Sequence, residues 1–257
     1  MTRALGIALA PCIALLGLAL RWLTPAAAVA ASVIGGLVFW GSGLPGAAML
    51  VLFFVSGSIL SAITDRGQPA SGPIHGPRNA RQVLANGSWA AVASLAVQWG
   101  RAAGWSAVAG ALAAAQSDTW ATEFGSLARG LPRLITTGAQ APRGTSGAIS
   151  LPGTLGGMAG AGVLAGAGIL AGAPAKPVSL GALGGIVGML ADSLMGASVQ
   201  ARFRCDTCNE TTEWRRHTCG RPTHPVSGWS WLDNDGVNLI ATGTGAVASA
   251  LLSWWTS

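Results

Sequence analysis

Residues 117–147 read SDTWATEFGSLARGLPRLITTGAQAPRGTSG, the richest run of chemically capable side chains in a sequence dominated by Ala, Gly, Leu and Val. Asp118 and Glu123 come first, then Arg129, Arg133 and Arg143. Thr119, Thr122, Thr136, Thr137 and Thr145 are interspersed, with Gly138, Gly144 and Gly147. Carboxylates hold Mg²⁺, arginines clamp phosphate, and hydroxyls with Gly-rich backbone N–H groups wrap it. The mixture suits a phosphorylated ligand and a metal; the plain alternative is a polar loop with solvated charges. Spacing sets one constraint. On a regular helix Asp118 and Thr122 share a face, but Asp118 and Glu123 stand about 140° apart. Both reach one metal only if the helix breaks or another segment approaches. The run PRGTSG at 142–147 suits a tight phosphate-cradling turn built on Arg143, Gly144 and Thr145, although Gly-rich turns are common.

Three other clusters offer related chemistry. Asp192, in GMLADSLMGASVQ, lies inside an apolar run. A carboxylate there is costly and marks a functional site by default; the alternative is structural pairing with an arginine. On a helix Asp192, Gly196 and Gln200 share one face, with Ser193 beside it. In WSWLDNDGVN, Asp233, Asn234, Asp235 and Asn238 place four oxygen-bearing side chains within six residues. Such density suits a hard divalent cation and its nucleotide. An Asn/Asp-rich helix cap is the alternative, and Asp235 can do both jobs. The spacing and closing Glu of an EF-hand are absent. In GPRNARQVLAN at 76–86, Arg78, Arg81 and Asn79 precede an apolar run that Gln82 and Asn86 enter one turn apart. Polar groups in a span glue helices or line a cavity, and the arginines serve equally well as orientation charges.

The cysteines carry a different signal. Cys205-x2-Cys208-x8-His217-x-Cys219 is a four-ligand zinc pattern, compressed in its second half. The ligand count fits a closed structural site that orders a loop. Cys12 stands alone and reads as packing.

The elements that position these groups follow from composition. The 257 residues are 51% hydrophobic and only 9% charged, against about 25% charged in soluble domains. The class is an integral membrane protein: all-α, a polytopic helix bundle of one domain over 1–257. Thirty-eight glycines suit transmembrane helices whose backbones approach closely. Eight apolar segments approach the length of about 20 residues that spans hydrocarbon, at roughly 4–20, 25–41, 45–63, 82–99, 102–117, 149–172, 178–199 and 236–255. The first resembles a signal peptide but reads better as a span, since others follow at once. Trp22, Trp40, Trp99, Trp105, Trp254 and Trp255 fall near segment ends, as interfacial anchors do.

Eight spans divide the 15 basic residues unequally. Arg21, Arg66, Arg78, Arg81, Arg129, Arg133, Arg143, Arg202, Arg204, Arg215, Arg216 and Arg221 fall on one side; Arg3, Arg101 and Lys176 fall on the other. The positive-inside rule makes the first side cytoplasmic and puts both termini outside. Three polar loops, 64–81, 118–148 and 200–235, then share the cytoplasmic face, where a reducing milieu disfavours a disulfide among the cysteines. The net charge of +6 is dispersed over short loops, so nucleic acid is not an expected partner.

The blocks RNARQVLANG, SDTWATEFGSLA, PRLITTGAQAPRGTSGAIS, the GT-x-GG at 153–157, ADSLMGASVQ and LDNDGVN together resemble the phytyl-phosphate kinase family of integral membrane proteins. The resemblance runs in order from about residue 78 onward, and the 65–77 region, including Asp65, matches weakly. It implies an enzyme of the vitamin E and phytol-salvage type. Such an enzyme uses a nucleoside triphosphate, preferentially CTP, to convert an isoprenyl monophosphate to the diphosphate. The Cys/His loop looks like a feature of part of the family, outside the chemistry.

Residue chemistry and resemblance lead to the same assignment. Asp118, Asp192, Asp233 and Asp235 are the expected ligands of Mg²⁺ and nucleotide, with Glu123 in a secondary role. Arg133, Arg143, Thr136, Thr137 and Thr145 are expected on phosphates, with Gly144, Arg78, Arg81, Asn86, Asn234 and Asn238 as further contacts. The prenyl tail is expected among the Ala/Gly-rich helices. A transporter or flippase for a phosphorylated lipid or small anion is the competing class. It too needs arginines and an intramembrane carboxylate, but not a metal-binding set at one face.

Overall fold

Helix caps set several of the boundaries. Asn79 accepts from the Gln82 backbone N–H while the Gln82 side chain accepts from Asn79, a capping box that opens one helix. Ser150 accepts from the Gly153 backbone N–H and opens another. Asp233 does the same toward Gly236. The cap in the DND run is therefore Asp233 and not Asp235, which sits in the first turn where a carboxylate suits the helix dipole.

The structure is a computed structural model that describes residues 3–65, 76–100 and 102–256. Among them are seven helices: α1 (Arg3–Ala19), α2 (Pro25–Asp65), α3 (Ala80–Val97), α4 (Ala102–Ser126), α5 (Leu151–Leu170), α6 (Ala175–Ser198) and α7 (Asn234–Trp255). Arg66, Arg101 and the side chains of Arg3 and Asp65 lie outside the described residues. Helix α2 breaks at Gly43, whose φ of 62° and ψ of −152° are non-helical. The chain turns back there. Gly41 packs on Ser94 near the end of α3, whereas Gly57 lies against Arg78 just before α3 begins. The two runs of α2 therefore form a hairpin, and they correspond to the second and third apolar segments of the sequence.

Four helices, α2, α5, α6 and α7, are long and apolar enough to cross a membrane. Helix α1, at 17 residues, is shorter. Helix α4 is the axis of the bundle. Every residue from Val108 to Ser117 is buried, as expected of a helix surrounded by others. Its neighbours approach until backbones touch. A Cβ on Gly184 would stand 2.0 Å from Ser249 Oγ, and one on Gly188 would stand 2.6 Å from the Ala241 carbonyl oxygen. Only hydrogen fits at these crossings, and in lipid such close packing supplies the association energy that the hydrophobic effect supplies in water.

Two expectations are corrected. Helix α4 continues to Ser126, so Asp118 and Glu123 are helix residues and not part of a loop. The polar segments are also not purely irregular, and the fold is not strictly all-α. β1 (Arg133–Leu134) pairs antiparallel with β2 (Ala148–Ile149). β3 (Arg202–Cys205), β4 (Glu210–Thr212) and β5 (His224–Ser227) form an antiparallel sheet in the order β4-β3-β5.

The polar segments meet at one end of the bundle. Arg78 exchanges backbone hydrogen bonds with Trp22 and Thr24; Arg81 reaches Asp233; Ser146 donates to Glu213. At the opposite end Lys176 Nζ donates to the Thr256 carbonyl.

Candidate functional site

At the polar end the acidic residues separate into three groups. The first joins helices α4 and α6. Asp118 and Asp192 lie close enough for their charges to interact, and Glu213 acts on Asp192 as well. Asp192 Oδ2 is buried with no hydrogen-bond partner. Three carboxylates with one buried oxygen unsatisfied are costly by themselves, and a divalent cation relieves that cost. The donor set fits Mg²⁺, which takes one or two protein carboxylates and completes its shell with water and substrate phosphate.

The second group is Glu123. Because α4 stays regular, Glu123 points away from Asp118, toward α2. There Ser61 and Thr64 both donate to its carboxylate. The Arg78 guanidinium balances it at longer range. That guanidinium lies over Phe53 and Phe54, 5.2 and 5.7 Å from the ring centroids. Burial lowers the Arg78 pKa to about 10, with Glu123 opposing the shift, so the side chain stays charged at neutral pH. Hydroxyls at 61 and 64, one turn apart before the polar end, were the available signal for this anchor.

The third group is Asp233 and Asp235, which converge on Arg81. Arg81 Nη2 lies 2.6 Å from Asp233 Oδ2, and Nε lies 3.6 Å from Asp235 Oδ2. Asn234 is exposed and Asn238 half-buried beside them. Asn86 sits one turn inward, its amide donating to the Gln82 carbonyl. The expected four-aspartate set is thus divided: Asp118 and Asp192 are near enough for their charges to interact, while Asp233 and Asp235 are bridged by an arginine.

The 142–147 run docks on the face of α6 that carries Asp192. Gly196, one turn beyond Asp192, lies against Ser146 and Gly147; a Cβ on Gly196 would stand 2.9 Å from the Gly147 backbone nitrogen. Gln200 Nε2 donates to Ser146 Oγ at 3.1 Å, and Arg202 Nη2 donates to the Ser146 carbonyl at 3.0 Å. Gly147 has φ 76°, and a Cβ there would stand 2.2 Å from the Ala197 nitrogen, so glycine is required twice over. The shared face of Asp192 and Gly196 was legible from helical spacing, but α6 ends at Ser198, so Gln200 reaches Ser146 from just beyond the helix. Ser146, Arg202 and Glu213 had no local signal, because strands β3 and β4 carry the last two back to the site.

The loop arginines do different work from that expected. Arg133 Nη1 donates to the Gly138 carbonyl at 2.7 Å, and Arg143 Nη1 to the Ser126 carbonyl at 3.0 Å. Both are exposed, as are Thr136, Thr137 and Gly144, while Thr145 is half-buried. Arg133 thus staples its own loop and Arg143 ties that loop to the end of α4.

Among the described residues, the His/Cys/Asp/Glu group whose ligand atoms converge is Cys205, Cys208, His217 and Cys219, all within 4.8 Å of one another. Cys205 Sγ and Cys219 Sγ are 3.7 Å apart, close to the edge of a tetrahedron with Zn–S bonds of about 2.3 Å. Glu210 holds His217 Nε2 at 3.1 Å, which leaves Nδ1 to face the sulfurs, the usual carboxylate–histidine arrangement behind a metal. The Arg221 backbone N–H and then the His217 hydrogen bond pull the Cys219 thiol down to about 6, favouring thiolate. Purified protein is expected to carry about one zinc. Cys205→Ser should lower metal content and melting temperature while leaving turnover in the folded fraction. Turnover as low as in Asp118→Ala would mean that this metal takes part in the chemistry.

A bundle of apolar helices packed on small residues, with carboxylates and arginines gathered at one end, defines an integral membrane protein bearing a polar site. The chain belongs to the family described as integral membrane protein DUF92, which it matches over residues 8–246. This family accords with the phytyl-phosphate kinase-like resemblance of the sequence blocks. An uncharacterized membrane protein of Methanocaldococcus jannaschii is 30% identical over 226 residues, covering 87% of this chain and 83% of the relative. Protein PGR of Arabidopsis thaliana is 29% identical, covering 76% of each chain. An uncharacterized membrane protein of Synechocystis is 28% identical, covering 88% of this chain and 81% of its own. No solved structure matches.

Proposed function

We propose that the chain is a membrane-embedded isoprenyl-phosphate kinase that transfers the terminal phosphoryl group of CTP, or of another nucleoside triphosphate, to phytyl or a related prenyl monophosphate. The observation that carries this reading is the buried, unpaired Asp192 Oδ2 one turn from the docked 142–147 loop, with the Asp118 charge close enough to act on it. An acceptor phosphate oxygen bonds to the γ-phosphorus, the bond from that phosphorus to the β–γ bridging oxygen breaks, and the nucleoside diphosphate leaves. Asp118 and Asp192 would hold Mg²⁺, which would supply neutralisation of the phosphate charge. The acceptor is already ionised, so no strong general base is required, and Glu123 is free to be structural. Arg202 and Gln200 hold the Ser146 turn in place. Arg81, bridged by Asp233 and Asp235, stands at the rim where a further phosphate can exchange with them. Arg133 and Arg143 can swing from their carbonyl partners onto the nucleotide.

In this reading all eight apolar runs cross the bilayer and the polar end faces the cytoplasm, as the distribution of basic residues requires. Cysteines placed at Gly138 and Gly76 are expected to label from one side of the membrane and one at Lys176 from the other. Labelling of 176 and 138 from the same side would break the common-site arrangement. The activity test is transfer of γ-phosphoryl label from CTP to phytyl or geranylgeranyl monophosphate. Mg²⁺-dependent diphosphate formation is expected. Its absence with every prenyl phosphate, alongside protein-dependent lipid or anion flux in liposomes, would assign the protein to the transporters.

A further inference from the structure

The tail of the lipid substrate needs a place among the Ala/Gly-rich helices, and the tightly packed α4, α6 and α7 do not offer one. Helices α4, α6 and α7 are closed against each other at their glycines. Free space lies instead on the other flank, between α1, the α2 hairpin and α3, as a cavity of about 300 Å³. Its walls are apolar, with Ile13, Phe39, Leu50 and Phe54 prominent, and polar side chains enter only where Arg78, Gln82 and Asn86 line it.

That polar corner abuts α4, the helix that carries Asp118. The Arg78 guanidinium rests over Phe53 and Phe54. A Cβ on Gly57 would meet Arg78 Nη2 at 2.6 Å and the Thr119 methyl at 3.1 Å. Thr119 is the neighbour of Asp118. Arg78 thus stands between the apolar cavity and α4, against the helix face that carries Thr119 and Glu123. Along the second run of α2, Leu44 and Phe54 both line the cavity, which gives it a length of about 15 Å at 1.5 Å per residue. A single slot with one cationic end fits an amphiphile that has one apolar tail and an anionic head; a two-chained phospholipid fits it poorly.

We infer that this cavity is the tail site of the prenyl monophosphate, with Arg78 receiving the phosphate and the far wall of α2 limiting the tail length accepted. The inference rests on the kinase reading for the identity of the lipid, but its geometry is independent of phosphoryl transfer. Ala48 lines the cavity between Phe54 and Leu44, about 9 Å along the helix from Phe54. A large side chain there blocks the deep half and spares the half beside Arg78.

The test is binding without nucleotide, read as displacement of radiolabelled geranylgeranyl monophosphate from the purified full chain in detergent. Ala48→Phe should weaken geranylgeranyl monophosphate (four isoprene units) by about tenfold or more and leave geranyl monophosphate (two units) nearly unchanged. Ala47→Leu, a smaller intrusion into the same wall, should give the same length-dependent loss if Ala48→Phe fails to fold. Arg78→Gln should weaken both lengths by a similar factor. Equal affinities for both lengths in the blocked variants would overturn the assignment, as would equal displacement by phosphatidic acid, which would make the cavity a seat for bulk lipid. The two readings separate cleanly. Length-selective binding without CTP-dependent transfer supports the tail site and removes the kinase, whereas transfer that is blind to Ala48→Phe does the reverse.

Discussion

Asp192→Asn is expected to lower turnover by about 10²-fold or more while leaving the melting temperature unchanged or raised. The substitution keeps shape and volume and removes one charge. In the parent that charge costs roughly 2.5–3.5 kcal/mol on insertion scales, and no hydrogen bond to Oδ2 offsets it. The neighbours that act on it, Asp118 and Glu213, carry the same sign. An amide therefore relieves both desolvation and repulsion, so stability does not fall. Activity falls because an amide is a poor ligand for a hard cation, and each 1.4 kcal/mol of lost transition-state stabilisation is about tenfold in rate. Steady-state kinetics with CTP and a prenyl monophosphate, beside a thermal shift in detergent, check both halves. A protein that melts several degrees lower yet turns over normally per folded molecule would take Asp192 out of the site.

Glu123→Ala is expected to show the opposite combination. Glu123 is 4% exposed, receives hydrogen bonds from Ser61 and Thr64 and balances the Arg78 charge. Removing it takes an acceptor from the Ser61 and Thr64 hydroxyls and the counter-charge from a largely desolvated guanidinium. Breaking one side of such a buried arrangement costs about 3–5 kcal/mol, which lowers the melting temperature by roughly 6–20 °C for a chain of this size. Turnover per folded molecule should stay near the parent value. Glu123→Gln, which restores an acceptor but not the charge, should recover part of the loss. A Glu123→Ala protein that is as stable as the parent but inactive would move Glu123 into the chemistry, and with it the separation between the two faces of α4.

Local pattern was enough for several of these conclusions. Low charge and long apolar runs determine a membrane bundle, because lipid admits only segments whose backbone bonds close internally. Helical spacing alone put Asp192 and Gly196 on one face and set Asp118 apart from Glu123, since a regular helix turns about 100° per residue wherever it is placed; Gln200 falls past the end of α6 at Ser198. The Cys/His spacing announced a clustered ligand set, although Glu210 behind His217 was not visible in it.

Tertiary structure alone decided which carboxylates share a site. Asp118 and Asp192 come from α4 and α6, whose association depends on glycine crossings that no local pattern aligns. Asp233 and Asp235 offer the same carboxylate chemistry as Asp192, yet Arg81 claims them because α3 packs beside α7. Glu213, Ser146 and Arg202 meet only because strand pairing folds the 200–235 segment back on the 142–147 turn. The tail cavity was also invisible in the sequence. Small residues close the space where backbones touch, as between α6 and α7, but line open space between α1, α2 and α3, and composition alone does not distinguish the two.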